Sequence, residues 1–120
     1  MLYNGTMISL ENQEQITREL AMGHQARSMG LEARARVCAR RAVGIALRAY
    51  FAPRSDSASL SVVDLIQTYQ EQPELSPELR TICAHLLTRV NPDYQLPIPV
   101  DLLAEAKILI DSILENNKPS

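Results

Sequence analysis

Residues 31–52, LEARARVCARRAVGIALRAYFA, constrain the fold more than any other part of the chain. Leu31, Ala35, Cys38, Ala42, Ile45, Ala46 and Ala49 recur with a period near 3.6 over about five turns, which predicts a long amphipathic helix. Many of its residues are small. Ala35, Ala39, Ala42, Ala46 and Ala49, with Gly44, let neighbouring helices come close, so this segment is expected at the centre of a bundle. Val37, Val43 and Leu47 lie off the main stripe, and a single core is not expected to cover them. The excess apolar surface predicts a partner, most simply a second copy of the chain.

Four further segments read as helices. The first spans about 9–28, with Ser9 as N-cap and Ile16, Leu20 and His24 on one face; Gly30 follows as the C-terminal cap residue. A third helix over 60–71 places Val62, Ile66 and Tyr69 together, and Ser61 with Asp64 resembles a capping box. The fourth starts at Ser76-Pro77-Glu78, a strong N-terminal signal, and buries Leu79, Ile82, Cys83, Leu86 and Val90. NPDYQLPIP interrupts the chain before a fifth helix with Leu102, Ala106, Leu109 and Ile113 on its stripe. Pro53 ends the second helix. No strand pattern is present, and no second copy of the second helix recurs near 34 residues, as a solenoid would require. The expectation is an all-α, up-and-down bundle of four to five helices over residues 9–116, with short tails at 1–8 and 117–120.

A chain of 120 residues suits one domain. Apolar residues are 46% of it and aromatic residues 4%, with no Trp, so the core should be aliphatic. No run reaches the roughly 18 apolar residues of a membrane span. MLYNGTMISLENQ has no basic-then-apolar signal, and Cys38 and Cys83 fall on apolar faces without metal spacing. A cytoplasmic location, with no membrane association, is expected. Two histidines without an HxxH pattern and four scattered glycines offer neither a metal site nor a phosphate loop, so no metal or cofactor is expected.

The net charge of −2 is unevenly spread. Residues 17–54 hold eight Arg against two Glu, whereas residues 55–120 hold ten acids against four bases. The default reading pairs the two halves inside one bundle. Arg34, Arg41 and Arg48 repeat every seven residues and share a helix face. That face is read as intramolecular pairing or solvation, with contact to RNA or a nucleotide and a dimer seam as the alternatives.

ARRAVGIALRAYF at 39–51 resembles the alanine-spaced helix of the HEPN family, small helical bundles named for nucleotide binding. Further on, LLTRVNPDYQLPIPVDLLAEAKILIDSIL supplies Arg89, Pro92, Asp93, a proline loop and the spaced Ala104 and Ala106 in the order many members show. Gly44 stands where the family pattern carries glutamate, and SLSVVD has no histidine where one often opens the third helix. The resemblance implies a four- or five-helix fold, a homodimer, and a nucleotidyltransferase as a possible protein partner. It also implies, in many branches, metal-independent RNA cleavage by an R-x4–6-H motif.

RTICAH at 80–85 matches that motif at its shortest spacing. Arg80 would hold a scissile phosphate while His85 moved the proton of the attacking 2′-hydroxyl. On one helix this offset is about 140° and about 7.5 Å of rise, so the side chains converge mainly across a dimer. The expectation is therefore a non-catalytic interaction or nucleotide-binding module that self-associates. A toxin-like ribonuclease built on Arg80 and His85 is the alternative. Arg34, Arg41, Arg48 and Arg89 are the candidate contacts for RNA or nucleotide, and His24 reads as a packing or surface histidine.

Overall fold

The computed structural model describes residues 8–52, 60–88 and 98–116. Among them are five α-helices and no strand: α1 (Leu10–Ser28), α2 (Glu32–Phe51), α3 (Val62–Gln70), α4 (Pro77–Leu87) and α5 (Leu102–Asn116). The all-α expectation holds, and each expected helix is present, α3 being shorter at both ends. Pro53, Val90, Pro92, Asp93 and Arg89 lie outside the described residues. No helix among those described is long and apolar enough to cross a membrane.

The helix starts follow from local chemistry. Ser9 Oγ accepts the Asn12 N–H at 3.1 Å, and Ser76 Oγ accepts that of Leu79 at 3.2 Å. At α3 the capping box is complete: Ser61 Oγ accepts the Asp64 N–H at 3.1 Å, and Asp64 Oδ2 accepts the Ser61 N–H at 3.2 Å. At α5 the carboxylate of Asp101 accepts the Ala104 N–H at 3.1 Å. The α1–α2 turn is a Schellman motif. Gly30 adopts φ +79°, the Leu31 N–H bonds Ala26 O at 2.8 Å, and the Gly30 N–H bonds Arg27 O at 2.9 Å.

This turn lays α1 directly against α2, and α3 and α5 take other sides of α2. The central position predicted from its small residues is thereby realised. It also corrects one expectation: Val43 and Leu47 are 0% exposed, because α1, α3 and α5 pack on different sides of α2. Val37 alone of that trio stays open to solvent. Cys38 and Ala42 are buried, Ile45 and Ala49 are half-buried against the core, and Leu31 is exposed.

Two glycines mark where the helices come closest. A Cβ on Gly23 would stand 2.6 Å from Leu103 Cδ2 and 3.1 Å from Cys38 Cβ, so α1, α2 and α5 meet there at a separation only glycine permits. A Cβ on Gly44 would stand 2.7 Å from Val62 Cγ2. Glycine at position 44 thus has a packing reason: Val62 of α3 occupies the space a side chain would take. Tyr50, Phe51 and Tyr69 close the α2–α3 end in edge-to-face contacts with centroids 5.1 to 6.5 Å apart.

An arginine knot ties the opposite end. Arg27 grips Glu32 through Nε at 3.0 Å and Nη2 at 2.7 Å, and reaches Asp101 Oδ1 through Nη1 at 2.9 Å. It joins the end of α1, the start of α2 and the start of α5, and its pair with Asp101 links the basic half of the chain to the acidic half. The Arg27 hydrogen bond holds the Glu32 carboxyl below its usual range. Burial opposes ionisation of Asp101, but the Ala104 N–H and Arg27 together still lower its pKa.

Ala42 is fully buried on α2, where it leaves no room for a longer side chain. Ala42→Leu should lower the unfolding free energy by about 1–3 kcal/mol through overpacking, measured by chemical denaturation. An unchanged denaturation midpoint would contradict the packing described.

Candidate functional site

Arg80 sits in the first turns of α4, where its guanidinium turns back toward the end of α3. Nη1 donates to Gln70 O in a short hydrogen bond, and Nη2 donates to Gln72 O at 3.0 Å and Leu75 O at 3.1 Å. Gln70 Nε2 returns a bond to Arg80 O at 3.2 Å. One side chain thus satisfies carbonyls that the end of α3 and the following turn leave without helical partners. The expected phosphate grip is directed inward, at the protein's own backbone.

His85 faces another element. Its Nδ1 lies 2.7 Å from Glu105 Oε1, tying α4 to α5 in a partly buried contact. Arg80 and His85 therefore address different neighbours, Arg80 the α3–α4 connection and His85 the acid of α5. The structure does not bring them together within one chain.

The candidate arginines of α2 divide in the same way. Arg48 Nη1 donates to Leu60 O at 3.0 Å, just before α3. Arg40, not singled out from the sequence, caps α4 through Nε to Leu86 O at 2.9 Å and Nη2 to Thr88 O at 3.1 Å. Burial, with Arg36 nearby, lowers the pKa of Arg40 below the usual arginine value. Arg36 is itself 7% exposed and partnered. Arg34 and Arg41 are exposed, and neither makes an ion pair or hydrogen bond with the described residues. Arg89 lies outside the described residues.

Arg34 and Arg41 border a surface groove of about 720 Å³ between α1 and α2. Met22, Met29, Leu31 and Val37 line it and remain 40 to 64% exposed. Seven large apolar side chains are exposed among the described residues, and four of them converge here. Periodicity missed this groove because it found only the Ile16–Leu20–His24 face of α1. The available signal was Met22 and Met29, seven residues apart on a second face.

Other candidates carry no chemistry. His24 lines a second apolar depression with Leu20, Leu103 and Ile108 between α1 and α5. Both cysteines are free and buried. Burial pushes the Cys83 thiol up to about 11, and burial, then Glu19, raises that of Cys38, so neither is an activated thiolate at neutral pH. Among the described residues no group of three His, Cys, Asp or Glu could hold a metal. No protein-family model matches the chain, and neither does any curated protein or solved structure.

Arg80→Ala removes three hydrogen bonds to carbonyls at once, whereas His85→Ala removes a single contact with Glu105. Bonds from a charged donor are worth about 1.5–3 kcal/mol each and do not add fully, so Arg80→Ala should cost about 2–4 kcal/mol in urea unfolding. His85→Ala should cost about 1 kcal/mol or less. Equal effects would contradict the assigned role of Arg80.

Proposed function

We propose that this chain is a non-catalytic interaction module, a HEPN-like bundle that binds another polypeptide through the α1–α2 face. The observation that carries the reading is the convergence of Met22, Met29, Leu31 and Val37 beside two exposed arginines, Arg34 and Arg41. A clustered apolar patch with a charged border is the usual mark of a protein-binding surface. The order of ARRAVGIALRAYF and the later proline loop supports the HEPN-like assignment, which would make a nucleotidyltransferase a fitting partner.

The ribonuclease alternative has less support. A catalytic Arg80 would have to release Gln70, Gln72 and Leu75, and a nucleotide contact by Arg48 would have to release Leu60. Self-association loses the support expected from Val43 and Leu47, which lie in the core. Exposed apolar surface survives only in part on α2, at Val37.

A photo-crosslinking residue at Val37 of the full-length protein, irradiated in its native cells, should yield a discrete polypeptide adduct. The same probe at Glu78, exposed on α4, should yield none. The purified protein should leave unstructured RNA intact in EDTA. Equal labelling from both positions would contradict the proposal, as would metal-independent cleavage abolished by His85→Ala.

A further inference from the structure

The α1–α2 groove sets apolar side chains beside two arginines. Met22 lies on α1 and Met29 is the residue that caps its C-terminus; Arg34 and Arg41 lie seven residues apart on α2, with Val37 on the same face between them. Seven residues make almost two turns and about 10 Å of rise, so Arg34 and Arg41 repeat nearly in line with the α2 axis. Among the described residues, none that lines it is acidic. The groove therefore combines apolar side chains from both sides with two cationic ones from α2.

Resting on the interaction-module reading, we infer that this groove receives an amphipathic helix of a partner protein that carries carboxylates about two turns apart. Its apolar stripe lies on Met22, Met29, Leu31 and Val37, and its carboxylates meet Arg34 and Arg41. A helix is the element whose side chains repeat at that interval on one face. Methionine suits such a groove, since its flexible thioether adapts to differing apolar partners.

Charge argues against a second copy as the occupant. A two-fold dimer places the same patch on both sides of the interface, so it would gather four arginines with no acid among the described lining residues to offset them. RNA fits poorly, because no aromatic side chain among the described residues lines the groove to stack a base. An acyl chain would find its four apolar contacts still substantially open to water.

Fluorescence anisotropy with synthetic helices tests the inference on the full chain. The probe is an 18-residue amphipathic helix with a Leu/Met stripe and two Glu seven positions apart. Its controls replace both Glu by Gln or by Lys. The Glu probe should bind about tenfold more tightly than the Gln probe and weaken as salt rises. Arg34→Glu with Arg41→Glu, both at exposed positions and checked for unchanged helical dichroism, should transfer the preference to the Lys probe. Val37→Asp should abolish binding of every probe.

Equal affinity for the Glu and Gln probes would overturn the inference, and so would a preference unmoved by the double reversal. Tighter binding of oleate than of the Glu probe, or a dimer in light scattering that Val37→Asp dissociates, would overturn it equally. If no probe binds although Val37 still crosslinks a polypeptide, the acidic-helix inference falls and the module reading stands.

Discussion

The arginine-to-carbonyl hydrogen bond is the contact on which this bundle's connections depend. Helix ends leave carbonyls without intrahelical partners, and short helices have proportionately more of them. α3 and α4 have 9 and 11 residues, so their ends make up much of their length. Arg80 secures the end of α3, Arg40 the end of α4, and Arg48 the approach to α3. A guanidinium suits this work because its five donors fan out in a plane while its charge strengthens each bond. Positive charge at a helix C-terminus is also favourable to the helix dipole. The basic character of α2 therefore serves the fold before it serves any ligand.

Arg40 and Arg48 can reach their targets because α2 is central, and the small residues of α2 let it take that place. Alanines and Gly44 on its inner faces, with Gly23 opposite, bring α1, α3 and α5 close enough for side chains of α2 to touch the ends of α3 and α4. A bulkier α2 would push those ends beyond an arginine's length. Close packing and charge placement are thus one constraint. Arg34 and Arg41 escape it by facing the groove between α1 and α2, which no other described helix lines.

The fold was legible because its signals are local. Ser9, Ser61 with Asp64, Ser76-Pro77 and Gly30 each act within a few residues, and each appears as read. The periodicity of α2 gave its central place but not the extent of its burial. Whether Val43 and Leu47 meet water depends on how many helices surround them, which a single helix's pattern does not encode. The site was less legible for the same reason. Arg80 and His85 match a motif by spacing, yet their partners, Leu75 and Gln72 for one and Glu105 for the other, are fixed by tertiary contact. Arg34, Arg41 and Arg48 share a heptad spacing, but only the last has a carbonyl within reach at Leu60.

Guanidinium proton exchange distinguishes clamping arginines from exposed ones most directly. In ¹⁵N-resolved NMR spectra of the intact chain at neutral pH, Arg40 should show a slowly exchanging Nε–H, and Arg80 should show resolved Nη protons with hindered rotation. Arg34 and Arg41 should show rapid exchange and averaged Nη signals. Arg80 exchanging as fast as Arg34 would contradict the account, because its guanidinium would then be free to meet a ligand.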